Sequence, residues 1–560
     1  MKIRFSFFGV CLFLSVLTAF AQTDRGTITG TVSDATGAVI PGAAIEAKNV
    51  ATGTVYQAGS SETGNYTLAQ LPAGTYELSV ELQGFRKFVR PGIIVEVARV
   101  TRIDAALQVG AATESVTVQA ESPLLKTESG EVSHNIGTDQ LNSLPVVTLP
   151  GVGGLGNIRN PLQAVTLLPG ASFANDNTLR INGMPNSSQS IRVEGQDATN
   201  GMWRQLNQIN QAGIDAIQEV AIQTSNYAAE YGQAGGGYFN YTMKSGTNQF
   251  HGGAYEYFVN EFLNAGTPFT DRATITNDPS KAGQHIRDTQ RKSDYGFTVG
   301  GPILLGKLYN GHEKTFFFFS FEQYRESQFT TSGVATVPTL AYRRGDFGAA
   351  LLPQLTIGGQ PAVDPLGRPV FQNQIYDPRT TRLAPDGSRI RDPFPNNVVP
   401  PGLLDPVALK VQALIPLPTN NDLLNNYSIP GYTNFRHTTI PSFKIDHNIG
   451  AKKHLSWYFS QTHTVSPSAN GFTQAFTALL PQDDVAYTTR VNYDQTVTPS
   501  LLFHLGAGLL HTNHPQIRNF SPSGSGFRRR VPEGYQADRQ CQRHPGAGQP
   551  YVQSGRRIDL

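Results

Sequence analysis

Alternation of apolar and polar residues dominates the second half of the chain. In residues 294–300, 485–494 and 501–509, most of the residues at every second position are aromatic or apolar. Shorter runs at 443–446 and 455–459 follow the same pattern. Strands of about ten residues with one aromatic, apolar face are typical of a transmembrane β-barrel, although the strands of a large soluble sandwich also alternate. The aromatic residues predicted to face lipid are Tyr295, Phe297, Phe317, Phe319, Phe321, Trp457, Phe459, Tyr487 and Tyr493.

Residues 26–108 predict a different unit, a small β-sandwich. Apolar strands alternate with Gly and Pro turns, roughly seven strands with a turn about every ten residues. The runs GTVSDATGAVIPGA from Gly30 and SSETGNYTLAQLPAGTYELSVELQGF from Ser60 closely resemble the carboxypeptidase regulatory-like domain, a transthyretin-like sandwich. The resemblance implies a non-catalytic domain at 22–109, related to carbohydrate-binding folds. No exposed platform for stacking sugars can be read from the sequence.

Residues 110–246 are mixed in character and rich in Asn and Gly, and the resemblance of their motifs, given next, implies an α+β unit. Their motif order resembles the plug domain of TonB-dependent outer-membrane receptors. That family has an isoleucine–glutamate–valine strand, a tyrosine–glycine pair, a glycine cluster and a threonine–lysine–serine–glycine end. Met243 stands where the family has threonine. The matching motif positions are Glu219, Tyr231, Gly232, Gly236, Lys244 and Gly246.

Five residues near the start of this segment form a candidate coupling segment. Glu114, Ser115, Val116, Thr117 and Val118 are an extended run that follows a Gly-Ala-Ala linker. A short extended segment can pair with an edge strand of another protein by strand addition. The resemblance implies that this run is a TonB box, bound by a periplasmic TonB-type energy-transducing protein.

The alternating strands fill residues 247–527, and a preceding plug favours a membrane barrel over a soluble sandwich. Residues 330–434 interrupt them with a polar segment rich in Pro, Asn and Asp. Such barrels have short periplasmic turns and long outer loops, so this segment is predicted to be an outer loop. The run RIRDPFPNNVVPPGLLDPVALKVQALIPLPTNN from Arg389 resembles a loop of the Oar-like receptors, a subgroup with a regulatory-like domain before its plug.

The first residues carry the marks of export. Lys2 and Arg4 precede an apolar stretch that closes with Ala19-Phe20-Ala21. This pattern predicts a signal peptide at 1–21, cleaved after Ala21. The alternative, a membrane anchor, is disfavoured because the apolar stretch is short and no stop-transfer charges follow it. We therefore expect a cell outer membrane protein whose N-terminal domain is periplasmic.

Composition and charge exclude several classes of function. The 44 basic and 42 acidic residues nearly cancel, which gives no sign of a nucleic-acid partner. Two cysteines cannot form a disulfide scaffold or a four-cysteine zinc site. Residues 151–156 fit G-x-G-x-x-G without a flanking strand and helix. Residues 301–307 resemble a phosphate-binding loop, but Leu308 replaces its Ser or Thr, so we predict a hairpin turn there.

Residues 528–560 differ from the preceding chain. They contain seven Arg and Cys541, and they show neither alternation nor a terminal aromatic strand. Roughly eight to ten strands of membrane-spanning length fit between Asn248 and Phe527, whereas plugged receptors close with about 22. A flexible basic tail is one interpretation. A frame shift or truncation, which would make the chain an N-terminal fragment, is the interpretation that the sequence favours.

The predicted fold class is mainly β: a transthyretin-like sandwich, an α+β plug and part of an antiparallel transmembrane barrel. The predicted function is a TonB-dependent receptor that imports an external ligand, a glycan, peptide or chelate. The alternative is an outer-surface adhesion or structural protein that attaches through the sandwich and loops. An enzyme is disfavoured, since neither an H-E-x-x-H nor a G-x-S-x-G motif occurs. We expect no cofactor and no metal site, and we expect outer-membrane lipid as a partner.

Overall fold

The fold was analysed in a computed structural model of the chain. The structure describes residues 25–110, 115–117, 128–143, 161, 165, 168–173, 179–185, 188–199, 212–227, 231–232, 234–260, 262–263, 265–266, 268–271, 279–285, 287, 290–330, 333–466, 482–498, 501–515 and 552–559. The predicted signal peptide at 1–21, the glycine motif at 151–156 and residues 528–551 of the tail lie outside them.

Two sheets packed face to face form the N-terminal unit, as predicted. In one sheet β1 lies between β4 and β7 and also pairs with β8, and the other begins β3-β2-β5-β6. Alternate residues of each strand point inward, so Ile28, Ile45 and Leu78 join one buried core. The strands are β1 (Gly26–Asp34), β2 (Ala44–Asn49), β3 (Val55–Gly59), β4 (Asn65–Leu71), β5 (Gly74–Glu81), β6 (Lys87–Val95), β7 (Val100–Arg102) and β8 (Ala105–Leu107).

One strand of the candidate coupling segment belongs to this sandwich. β9 (Ser115–Thr117) extends the second sheet as its edge and pairs with β6 in parallel. This pairing joins residues 115–117 to the sandwich sheet, whereas the sequence groups them with the plug predicted at 110–246. Sequence spacing places the segment after a linker, but it does not show which neighbouring sheet edge is free to accept it.

The unit predicted to be a plug, called the plug below, is built on a five-stranded sheet of order β10-β15-β16-β13-β14. Its pairs are antiparallel except β13 with β16. Its core includes Leu141, Ile222 and Phe239, and two side chains from outside the plug, Phe318 and Tyr458, complete this core. The elements are β10 (Val132–Gly137), α1 (Thr138–Ser143), β11 (Ala171–Phe173), β12 (Leu179–Ile181), β13 (Ser190–Val193), β14 (Gln196–Asp197), β15 (Ile217–Ser225) and β16 (Tyr238–Met243).

After the plug the chain begins a long antiparallel meander. Its first strands are β17 (His251–Val259), β18 (Gln290–Pro302) and β19 (Thr315–Thr330). Between β18 and β19 the chain turns tightly, with a bridge from Leu304 to Asn310. The run 301–307, which resembles a phosphate-binding loop, therefore lies in a hairpin turn, as predicted.

A long connection separates β19 from the next strand of the meander, at the place predicted for an outer loop. Arg368 and Arg382 both pair with Asp392 in this region, at 2.6 and 2.7 Å. The elements of the connection are β20 (Val334–Ala335), β21 (Thr356–Ile357), β22 (Gln360–Pro361), β23 (Tyr376–Leu383), β24 (Arg389–Pro393), α2 (Pro406–Leu414) and β25 (Tyr427–Ser428), with single 3₁₀ turns at Tyr342–Arg344, Gly348–Ala350, Pro395–Asn397 and Pro401–Leu403. Two more 3₁₀ turns lie earlier in the chain, at Ile214–Ala216 and Pro279–Lys281.

The meander then continues with five strands, each paired with the one before it. They are β26 (Tyr432–Asn448), β27 (Lys453–Ser466), β28 (Gln482–Thr498), β29 (Leu501–Pro515) and β30 (Val552–Asp559). Two of them, β26 and β27, are much longer than the runs predicted at 443–446 and 455–459. Among the described residues the sheet has β17 at one edge and β30 at the other.

β30 lies in the tail after Phe527, where the sequence shows neither alternation nor a terminal aromatic strand. Its backbone pairs antiparallel with β29, from Pro515 opposite Val552 to Gly508 opposite Asp559. Strand pairing uses backbone hydrogen bonds, which a segment without regular side-chain alternation can also form.

The two faces of the meander match the alternation in the sequence. Phe297, Trp457 and Tyr487 are 45%, 39% and 38% exposed on the outer face, whereas Phe318 and Tyr458 on the inner face are buried against the plug. The other residues predicted to face lipid share the outer face and are half-buried by their neighbours. The assignment of the aromatic face is therefore confirmed. No helix within the described ranges is long and apolar enough to span a membrane.

Replacing Phe319 with Arg tests whether this outer face meets lipid. A mid-bilayer arginine costs about 2–4 kcal/mol, and one near the interface costs about 0–1 kcal/mol. We expect Phe319→Arg to lower the free energy of unfolding in bilayers by the larger amount. Ser327→Arg, on the same face nearer the end of β19, is the control and should cost less. Equal stability of Phe319→Arg and the parent in membranes would contradict the assignment.

Candidate functional site

The end of the plug motif lies against the wall formed by the meander. The Lys244 amide donates to the Ala216 carbonyl at 2.8 Å and closes the plug sheet. At Gly246, a Cβ would lie 2.7 Å from the Gly301 carbonyl oxygen of β18. The absence of a side chain there allows the backbones to cross closely. Ser245 beside it donates to Asp446 of β26 at 2.5 Å.

The tyrosine and glycine positions of the motif organise the turn before β16. The Tyr231 ring lies 5.0 Å from the Tyr238 ring, and the Arg192 guanidinium lies 5.6 and 5.2 Å from these two centroids. The Tyr238 hydroxyl donates to the Gly232 carbonyl. The Gly236 amide donates to the Ser188 carbonyl at 2.9 Å. These contacts give the motif a structural role within the plug.

Glu219, the acidic residue of the motif, joins the plug to the sandwich. Its two carboxylate oxygens each accept the Val97 amide at 3.2 Å, and Oε1 also accepts the Asn135 side-chain amide. Asn135 in turn donates to the Val97 carbonyl at 2.9 Å. Burial raises the pKa of Glu219 to about 7; nearby Glu96 acts in the same direction, and Arg99 and the two hydrogen bonds oppose it. One carboxyl group therefore links two domains and titrates near neutral pH.

A buried ion pair attaches the plug to the wall. Lys444 of β26 lies 2.8 Å from Glu194, in the turn between β13 and β14, with side-chain exposures of 8% and 3%. Lys444 also donates to the Met243 carbonyl at 3.0 Å, and the Met243 amide donates to Glu194 at 2.6 Å. These added hydrogen bonds help to offset the cost of removing both charges from water.

A second acidic residue of the wall contacts the plug backbone. The Glu322 carboxylate of β19 accepts the Ile214 amide at 3.2 Å and the Tyr255 hydroxyl at 3.0 Å. Because Glu322 is 1% exposed, these bonds replace its contacts with water. The wall therefore holds the plug through polar groups as well as through Phe318 and Tyr458.

The sandwich lies at the end of the meander where the connections are short. Arg25 pairs with Asp494 of β28 at 3.0 Å, and Asn448 of β26 donates to Thr54 at 2.7 Å. The Asn248 amide, just before β17, donates to the Ala51 carbonyl at 3.1 Å. The connections at this end, at 303–314, 449–452 and 499–500, are shorter than those at the opposite end, at 260–289, 331–431, 467–481 and 516–551.

A polar cavity of about 180 Å³ lies where the sandwich, plug and wall meet. Its lining includes Arg25, Glu194, Lys444, Asp446 and His454. A cavity of this size and polarity can hold several waters. Within the described part of the chain, no three His, Cys, Asp or Glu residues are grouped so as to hold a metal ion.

The candidate coupling segment is described only in part. Ser115, Val116 and Thr117 form β9, opposite Lys87, Phe88 and Val89 of β6. Glu114 and Val118 lie outside the described residues. The structure does not bring this segment together with the plug motif around Tyr231, which lies within the plug.

Sequence reasoning missed Glu194, Lys444 and Glu322. A signal existed for Lys444 and Glu322, since both occupy the polar face of an alternating strand, where a charged residue needs a partner. Glu194 lies in a short turn at a positive φ of 52°, and nothing in its local sequence marks it.

Comparison with protein families matches two parts of the chain. The outer membrane beta barrel domain matches residues 242–552, and the carboxypeptidase regulatory-like domain matches residues 27–108. The first match continues past Phe527, so the change in composition there does not end the similarity. The second coincides with the sandwich.

The chain is also similar to a characterised relative. It is 31% identical over 299 residues to the TonB-dependent transporter Oar of Myxococcus xanthus, covering 52% of this chain and 26% of the relative. The chain thus spans about a quarter of that relative's length.

Solved structures give looser matches. The outer membrane transporter YddB of Escherichia coli matches with a TM-score of 0.39 at 10% identity. The match covers 68% of this chain and 39% of the YddB chain. The siderophore receptor PirA of Pseudomonas aeruginosa has a TM-score of 0.28 at 10% identity, covering 68% and 50%. Similarity at this level does not bear on the ligand.

Replacing Lys444 tests the buried ion pair. Lys444→Met leaves the Glu194 carboxylate buried without its cation, which should lower the free energy of unfolding by about 3–5 kcal/mol. Adding Glu194→Gln should restore most of the loss, because the uncompensated charge is gone. Lys410→Met, on the exposed helix α2, is the control and should change stability by less than about 0.5 kcal/mol. Denaturant unfolding in micelles measures all four proteins; equal stability of Lys444→Met and the parent would show that the pair does not anchor the plug.

The raised pKa of Glu219 predicts how the contact between the sandwich and the plug depends on pH. The docked state holds its proton up to about pH 7, whereas an exposed glutamate loses it near 4.5. Docking should therefore weaken as pH rises between these values and stay constant above them, by on the order of 1–3 kcal/mol in total.

Hydrogen exchange measures this effect. Protection of the Val97 amide, corrected for intrinsic rates, should fall from pH 5 to pH 7.5 in the parent. It should stay nearly constant in Glu219→Gln, which carries no titrating group there. Protection that rises with pH in the parent would reverse the assigned sign and contradict the prediction.

Proposed function

The chain belongs to the outer membrane beta barrel domain family, and from this premise we propose that it acts as a TonB-dependent receptor of the Oar-like type. In this proposal it binds an external ligand at outer loops and plug. An inner-membrane complex then supplies the energy for import through a periplasmic TonB-type protein. The proposal assigns binding and transport to the chain, and no catalytic step.

The observation that carries the proposal is the plug seated against the inner face of the meander. Phe318 and Tyr458 of the wall are part of the plug core, and Glu194 and Lys444 join the two across a buried contact. A soluble sandwich would not need such a separate domain against one sheet face. A plug held partly by polar groups can also move, because hydrogen bonds to water can replace those it loses.

The position of the sandwich supports the orientation. Short turns of outer-membrane barrels lie in the periplasm and long loops lie outside. Arg25 and Thr54 contact the short-turn end, which makes the sandwich periplasmic in this proposal. Export would follow from the signal peptide at 1–21, and the run from Glu114 to Val118 would be the TonB box, within reach of a periplasmic partner.

Binding of a purified periplasmic TonB-type domain to the full chain in micelles tests the proposal. Val116→Pro removes a backbone donor and resists strand pairing, so it should weaken binding at least about tenfold. Val116→Ile keeps the donor and the extended preference, and it should bind like the parent.

Cells provide the second measurement. Deleting residues 114–118 should abolish growth on the imported nutrient while leaving surface display intact. If Val116→Pro binds the TonB-type domain as tightly as the parent, the proposal is wrong. Attachment to surfaces that survives the deletion, in a chain that binds no TonB-type domain, would favour the adhesion alternative.

A further inference from the structure

The sandwich holds the candidate TonB box in an ordered position. Lys87, Phe88 and Val89 of β6 lie opposite Ser115, Val116 and Thr117 of β9, in parallel register. Val116 is half-buried and Thr117 is exposed. The segment is therefore paired with this chain's own sheet rather than free in solution.

Contacts before the segment keep it close to β6, and a contact after it reaches the other sheet of the sandwich. Before it, the Gly110 amide donates to the Gly84 carbonyl at 3.1 Å, and the Arg86 backbone amide donates to the Gln108 carbonyl at 2.8 Å. Only residues 111–114 separate Gly110 from Ser115. After it, Glu128 lies 3.6 Å from Arg102 of β7. Such a short tether gives the segment a high effective concentration at the β6 edge.

We propose that the Lys87–Val89 edge of the sandwich is a binding site for the TonB box, and that it competes with the periplasmic partner for this segment. The inference rests on the proposed function, because it needs a partner that takes the same strand. A strand offers two edges, but the described part of β9 pairs through three residues, and a partner needs a longer stretch of backbone than these residues present. Partner binding then requires β9 to leave β6.

The pairing is suited to a reversible contact. Parallel pairs are slightly less stable per residue than antiparallel ones, and this one is short. When more of the segment is docked on β6 than free, the partner's apparent affinity falls in proportion to the free fraction of the segment. The sandwich would thus set the affinity for the energy-transducing protein without touching the ligand site.

A disulfide across the pair tests the competition. Val89→Cys with Thr117→Cys, in a Cys541→Ser background, places cysteines at directly opposed positions, where disulfide geometry is met within about 4.4–6.8 Å between Cα atoms. The periplasmic TonB-type domain is titrated against the full chain in micelles, oxidised and reduced. Lys48→Cys with Val55→Cys, a facing pair on β2 and β3, is the matched control.

Oxidation should lower affinity at least about tenfold, a typical size for coupled sites, and reduction should restore it. The control should bind equally in both states. Equal binding of the oxidised and reduced test variant would overturn the competition. If, in addition, Val116→Pro binds as tightly as the parent, the proposed function is wrong as well.

Nitroxide labels on the same two cysteines give a second readout that needs no disulfide. The labels should lie close together in the free protein and separate when the partner domain is added. If the distance between the labels does not change at a saturating concentration of the partner domain, the partner adds to β9 in place, and the inference is overturned.

Discussion

The face on which each side chain of the long strands lies is the constraint on which the rest of the structure depends. Strand geometry fixes a period of two, so outward and inward positions cannot be chosen independently. A slip of one residue in β26 would turn Lys444 toward lipid and Phe443 toward the plug. Register of the wall and docking of the plug are therefore specified together, by the same alternation.

The contact between plug and wall combines apolar packing with buried charge. Phe318 and Tyr458 supply non-directional stabilisation, which would tolerate small rotations of the plug. Lys444 and Glu194 do not, because each must keep its partner or remain charged in a dry site. We interpret the ion pair as a device that selects one orientation of the plug, while the apolar contacts supply most of the stability.

Local patterns predicted much of the fold, and contacts distant in sequence limited the rest. Alternation gave the lipid face of β18 and β28, and turn spacing gave the sandwich, because both depend on neighbours within a few residues. Glu194 and Lys444 are 250 residues apart, and no local pattern relates them. The docking of Ser115–Thr117 and the pairing of β30 depend on which sheet edges remain open after folding, which is a property of the whole assembly. Glu219 belongs to the predicted plug motif by its local sequence, yet its carboxylate faces the sandwich, where it accepts the Val97 amide.

The order of elements suggests how force on the coupling segment would travel. From β9 the chain leads to β10, the edge strand of the described plug sheet, whose strand partner there is β15. Asn135 of β10 is also the residue that donates to both Glu219 and Val97. Removing β10 therefore breaks a sheet edge and the contact between plug and sandwich in one step. The sheet that remains still includes β13, whose turn carries Glu194, so the anchor to Lys444 persists after the edge has gone. Partial unfolding from this edge, with the rest of the plug held by the wall, is the lowest-cost response that this topology allows.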